Sequence, residues 1–373
     1  MDIALLSCMA VCIFGFTDYL GMDLLHFKVR LKTEHMGMFT SFIGNINMYT
    51  GLLSVYLGTA CLLWVSCPNK LRSIWYYVNV WVIFIALITG RSDNAYLSLA
   101  AAFTFIPIYA FRTRQGIRRY VVLLATFLTS LKVIEWIATT YADRVYRIDS
   151  LYNSLVSFSK LILLIKVLWI IAIILYLIDF IFKKANATVS PWFSRIWIGL
   201  IVIGFAAFLY VLYDVNIAGN ADKYGSAKSF LLFNDSWGTH RGVIWRLAIE
   251  DYQDFTPIHK LFGYGPDTFG LVTYYHNMDI MTNVYHQIFD SAHNEYLQFF
   301  ITVGPIGLLS YLAIFVTAFI RIIKKGCQNP YVIAAMFGVL CYSAQATVNI
   351  GTPITIPIMF LFLSMALAGC REA

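Results

Sequence analysis

The chain has 373 residues, 60% of them hydrophobic and 13% charged, with a mean hydropathy of +0.70. Soluble domains carry roughly 25% charged residues, so the composition excludes a water-soluble globular domain and predicts a polytopic membrane protein. The net charge of +7 gathers in short loops between apolar runs, which is a topology signal rather than a nucleic-acid footprint.

In chain order, residues 1–16 open on Met1-Asp2 without a basic n-region or a small-residue cleavage site, and read as a retained first helix rather than a secretory signal. Nine more apolar runs follow, at 47–66, 73–89, 95–111, 120–140, 156–182, 195–214, 296–320, 331–349 and 354–370. Each suits a membrane-spanning helix of about 20 residues. The length of 156–182 predicts tilt or an exposed end. The expected fold is all-α, a polytopic membrane bundle of about ten transmembrane helices. Residues 1–214 hold the first seven, 215–295 form a long periplasmic or extracellular loop bearing short helices, and 296–373 hold the last three.

Orientation follows from basic residues in the short connections. With the N-terminus inside, the cytoplasmic side carries Lys70, Arg72, Arg112, Arg114, Arg118, Arg119, Lys183, Lys184, Arg195, Arg321, Lys324, Lys325 and Arg371, thirteen in all. The opposite side carries six, Lys28, Arg30, Lys32, Arg91, Arg144 and Arg147. Both termini are therefore expected in the cytoplasm and the long loop outside, and all seven histidines then lie on the outer side.

Several connections carry local information. FIGNINMYTG places Asn45 and Asn47 where an external loop turns back into lipid. TGRSDNA holds Arg91 in a tight external turn between the third and fourth spans. Lys132 and Glu135 share a helix face at i, i+3, with Lys160 and Lys166 on the next span. Buried ionisable groups usually pair or face a wet cavity, so a Glu135–lysine contact is expected. A structural ion pair is its first reading and a substrate pathway its second. None of the seven cysteines lies in the long loop, and no CxxC or Cys/His cluster occurs; neither a disulfide framework nor a zinc site is indicated.

The 215–295 loop contains five of the seven histidines: His240, His259, His276, His286 and His293. Residues 239–252 read as an amphipathic helix with Thr239 as N-cap and an apolar stripe of Ile244, Trp245, Leu247, Ala248 and Ile249. Gly263, Gly265 and Pro266 make GYGPDTFG a turn. DSAHNEYLQFF then brings His293 to the mouth of the eighth span.

Such a loop has the parts for moving a sugar off a polyprenyl diphosphate. The acceptor hydroxyl needs a base, for which an imidazole is suited near neutral pH. The departing diphosphate needs fixed positive charge, and arginine matches phosphate oxygens without losing its proton. His293, Arg241 and Arg91 are the outward-facing candidates. Beside this stand plainer readings. His240, His259, His276 and His286 are expected to be solvated or structurally bonded. Arg241 has neutralisation of Asp235 and Glu250 as its alternative role, and Arg246 the same on the opposite helix face. Trp245 reads as a packing anchor or a sugar platform.

RGVIWRLAIEDY, LFGYGPDTFG and DSAHNEYLQFFITVGPIGLLSYL, on a loop between late membrane helices, together resemble the O-antigen ligase and polymerase family. GNINMYTG and TGRSDN are similar to the family's earlier GN-x-N segment and arginine-bearing turn. The resemblance implies metal-independent transfer, without a cofactor, of a glycan from undecaprenyl diphosphate at the outer face of the bacterial inner membrane, with inversion at the anomeric carbon. It implies that Arg241 and His293 are the family's loop arginine and histidine. Arg91 is the implied turn arginine, in reversed order with Ser92. It also makes Asn294, Trp245, Arg246, Gly263, Gly265, Asn45 and Asn47 substrate-binding or loop-shaping positions. Asn294 either orients the imidazole or binds substrate. The implied partners are the lipid-linked glycan donor, a glycan or lipid-glycan acceptor and membrane lipids, with no nucleic acid. Members of that family often have about twelve spans, so two N-terminal helices are expected to be missing. Polymerase and ligase chemistry remain alternatives, as do a flippase for the lipid-linked glycan and a membrane sensor that only binds glycan.

Overall fold

The computed structural model describes residues 1–148, 151–182, 187–325 and 329–370. Lys183, Lys184 and Arg371, three of the residues used for orientation, and Cys327 lie outside them. The first half of the chain forms α1 (Asp2–Tyr19), α2 (Thr33–Met36), α3 (Ile46–Ser66), α4 (Lys70–Thr89), α5 (Asn94–Ala110), α6 (Arg114–Thr140), α7 (Leu151–Val156), α8 (Leu161–Phe182) and α9 (Trp192–Asn216). After these come α10 (Lys228–Leu231), α11 (Trp237–Asp254), α12 (Pro257–Phe262), α13 (Phe269–Asp279), α14 (Glu295–Thr302), α15 (Gly304–Lys325), α16 (Pro330–Gln345) and α17 (Thr355–Gly369). Among the described residues there is no β-sheet, only an isolated bridge between Thr113 and Thr188.

Every apolar run is helical. Among the described residues, eight helices are long and apolar enough to cross a membrane, while α5 and α17 are shorter apolar helices. Two runs are interrupted. The 156–182 run breaks between α7 and α8, which accounts for its excess length. The 296–320 run breaks at Val303 and Gly304, whose φ is +71°.

Two compact units result: residues 1–197, 318–345 and 352–373 form the first, and residues 198–317 with 346–351 the second. In the first, α3 is the central helix, buried from Tyr49 to Val65. Its start is set by Asn45, whose Oδ1 accepts from the N–H groups of Asn47 and Met48, satisfying two of the donors a helix start leaves open. Small residues bring α3 against α16. A Cβ on Gly58 would lie under 3.0 Å from the Phe337 carbonyl, and one on Gly338 under 3.0 Å from Thr59. Without a hydrophobic driving force between helices in lipid, such close approach is what holds spans together. By contrast α8 exposes Phe180 and Ile181, as a lipid-facing helix would.

Several charged groups of this unit are paired. Glu135 meets Lys132 at 2.6 Å, the expected contact, and the Lys132 Nζ also donates to the Val156 carbonyl at 3.3 Å. Lys160 and Lys166 are exposed. Asp179 on α8 joins Arg114, at 2.8 Å, and Arg118 on α6.

Candidate active site

The second unit contains the polar loop, which folds around its own core. Val243, Ile244, Leu247 and Ala248 recur at helical spacing on α11 and pack with Phe269, Val272, Met281, Phe289, Ala292 and Ile301. Ile249 is exposed, contrary to its place in the expected stripe. The start of α11 also differs from expectation. Thr239 is not an N-cap, because Gly238, Thr239 and His240 have φ of 61°, 59° and 69° and precede the regular helix as a left-handed run. The chain before it lies so close that a Cβ on Gly242 would meet the Asn234 carbonyl under 3.0 Å.

This turn separates two arginines. Arg246 forks onto Asp235 through Nε (3.0 Å) and Nη2 (2.8 Å), and its Nη1 reaches Glu250 at 3.0 Å. The role of neutralising Asp235 and Glu250, open to both arginines from sequence, is therefore taken by Arg246. Arg241 folds back to donate from Nη1 to the Gly238 carbonyl at 3.0 Å, and its charge acts on His293.

His293 is half-buried, its φ is +46°, and its Nδ1 is buried without a hydrogen-bond partner among the described residues. Burial, and after it the Arg241 charge, hold the imidazole below its ordinary pKa of 6.5, with Asp290 opposing them. The ring is therefore neutral at neutral pH and able to accept a proton. On one side Ala292 donates its N–H to Gln298 Oε1 and accepts at its carbonyl from Trp245 Nε1, both at 2.8 Å. On the other, the Asn294 Oδ1 caps α14 by accepting from the N–H groups of Tyr296 and Leu297 at 3.0 and 3.1 Å. Glu295 is buried and accepts from the Tyr311 hydroxyl.

Gly263 and Gly265 have φ of +67° and +112°, and the Gly265 N–H donates to the Thr302 carbonyl at 2.8 Å. They seat the GYG turn on the break between α14 and α15. Among the other loop histidines, His259 bonds the Gly263 carbonyl, His286 bonds that of Thr282, and His276 lies 3.7 Å from Asp251. These are the structural roles expected. His240 differs: its ring meets Tyr285 edge-on at 5.2 Å, and its Nδ1 is buried without a hydrogen-bond partner among the described residues.

Arg91, Asn45 and Asn47 belong to the first unit. The Arg91 Nε donates to the Arg147 carbonyl at 2.9 Å and its Nη1 to that of Gly37 at 2.6 Å, with the guanidinium over the Tyr146 ring. The Asn47 Oδ1 accepts from the Ser92 hydroxyl at 2.7 Å and from the Asn94 amide at 3.3 Å. The two early motifs thus meet each other, and Arg91 ties three loops together.

Gln298 and Glu295 were not singled out by sequence reasoning, although both stand within one and a half turns of His293 in HNEYLQ. Among the described residues, no group of three or more His, Cys, Asp or Glu is placed to hold a metal.

The fold defines the class: among the described residues, an all-α bundle with eight long apolar helices, consistent with a polytopic membrane protein. Compared with known proteins, the chain matches no protein-family model and no curated protein.

Proposed function

We propose that the protein is a membrane glycosyltransferase of the O-antigen ligase and polymerase kind, acting on a glycan carried by undecaprenyl diphosphate in surface-polysaccharide synthesis. The observation that supports this most is a neutral, half-buried His293 under the charge of Arg241, on a folded loop between long apolar helices. In this reading ten helices cross the bacterial inner membrane, α5 and α17 among them. The termini are cytoplasmic and the loop lies outside.

His293 takes the proton from an acceptor hydroxyl as its oxygen bonds the anomeric carbon. The bond from that carbon to the diphosphate breaks on the opposite face, which inverts the centre. The electron pair leaves on the undecaprenyl diphosphate, where Arg241 stabilises the growing charge. Arg91, in the first unit, holds three external loops of that unit together. The acceptor is a second lipid-linked glycan or a lipid-glycan. Reconstitution with a purified undecaprenyl-diphosphate glycan tests the reading. New glycosidic bonds that disappear in His293→Ala are expected, and leaflet exchange or binding without bond formation would overturn it.

A further inference from the structure

His293 stands in a left-handed backbone conformation, which is strained for any residue with a Cβ. Something must hold it there. The carbonyl of Ala292 and the N–H of His293 belong to one rigid peptide plane, so a bond that pins the carbonyl limits rotation about the His293 N–Cα bond. Trp245 Nε1 makes that bond at 2.8 Å from α11. Gln298 Oε1 pins the preceding peptide by accepting the Ala292 N–H at 2.8 Å from α14. Gln298 is itself fixed, its own N–H bonding the Asn294 carbonyl at 2.8 Å. Ala292 is wholly buried between them. The indole of Trp245 has its N–H committed to backbone and lies 5.1 Å from the Trp237 ring, which suits a brace rather than a platform for sugar.

We propose that Trp245 and Gln298 are positioning residues that together seat the His293 imidazole in its buried place under the Arg241 charge. The proposal rests on the reading of His293 as the base, and it extends that reading to what sets the base's state.

The test needs no sugar donor. The full-length protein in detergent is treated with diethyl pyrocarbonate over a pH series, and carbethoxylation of each histidine is followed by peptide mass spectrometry. The unsubstituted protein should modify slowly at His293, with a midpoint below the ordinary 6.5. Trp245→Phe keeps the aromatic bulk and loses the N–H; Gln298→Met keeps the length and loses the acceptor. Each should raise the His293 midpoint toward 6.5 and speed its modification several-fold, with His276 and His286 unchanged. Gln298→Glu retains an acceptor oxygen but adds a charge that itself raises the midpoint, so it is read by rate alone: well above the midpoint His293 should be modified as slowly as in the unsubstituted protein. Unchanged His293 reactivity in both loss variants overturns the proposal, and so does an equal rise at His276 and His286, which would make the clamp a support of the whole loop. Should His293→Ala still form glycosidic bonds, the functional reading fails while the reagent data still decide the positioning.

Discussion

Gly263 and Thr302 come so close that a Cβ on the glycine would stand under 3.0 Å from the Thr302 carbonyl oxygen. The contact is reciprocated two residues on, where a Cβ on Gly304 would meet the Leu261 carbonyl within the same limit. Backbone packs on backbone here, and the turn after α12 is keyed to the break between α14 and α15. Gly263→Ala therefore meets both a clash and a left-handed φ. It is expected to cost about 2–4 kcal/mol, seen as a lower thermal midpoint and faster loop proteolysis. Gly265→Ala, whose Cβ would be 3.8 Å from Thr268, should cost less, through backbone strain alone.

The two arginines of RGVIWR should separate in function. Arg246 is held by exposed ion pairs, worth roughly 0–1 kcal/mol each. Arg246→Ala is expected to change transfer less than about tenfold, whereas Arg241→Ala, which on the proposed function loses the charge beside the leaving group, should cost about 10²–10³-fold. Turnover of the reconstituted variants measures both, with protein yield after gel filtration as the control for folding.

The pH profile follows from His293. Because burial and the Arg241 charge lower its pKa, the imidazole stays unprotonated, and so competent as a base, to below the ordinary 6.5. Activity should rise with pH through a midpoint under that value. Arg241→Gln removes a charge that opposes protonation, so the residual activity should show its midpoint at higher pH. Rate against pH in both proteins checks the sign.

Asp251 supplies a separate pH effect on stability. Burial raises its pKa from 3.8 to about 6, against the pull of Asn277 and His276 and with Glu250 and Asp254 adding to the rise. The folded state then binds the proton more tightly than the unfolded chain. Its stabilising contribution is complete below pH 3.8 and is lost as pH rises through about 6. Asp251→Asn should flatten the dependence of unfolding on pH between about 4 and 6, read by thermal melts at fixed salt.

Hydropathy carried most of the fold because lipid leaves the backbone few choices: a long apolar run must close its own hydrogen bonds, and each of the ten did so as helix. Residue-specific features read well where one side chain does local work. The Lys132–Glu135 pair was expected from its spacing. Features set by tertiary packing did not. Thr239 has the chemistry of an N-cap, but the crowding of Asn234 over Gly242 accompanies a left-handed run, and the helix starts later. The break at Gly304 falls on the breaker pair Gly304-Pro305, which hydropathy alone passes over, and the GYG turn packs against it. In the candidate site, His293 and Arg241 stand out in the sequence by residue type, while the clamp on Ala292 does not. It consists of side-chain bonds to a backbone whose position only the fold supplies.

The central claim is tested most directly by incubating the purified His293→Ala protein, in liposomes with an undecaprenyl-diphosphate glycan and its acceptor, beside the unsubstituted protein and analysing the glycan by mass spectrometry. The unsubstituted protein should lengthen or transfer the glycan with an inverted linkage, and the variant should fall by about 10²–10⁴-fold while keeping its fold. Equal product from the two would contradict the role given to the imidazole.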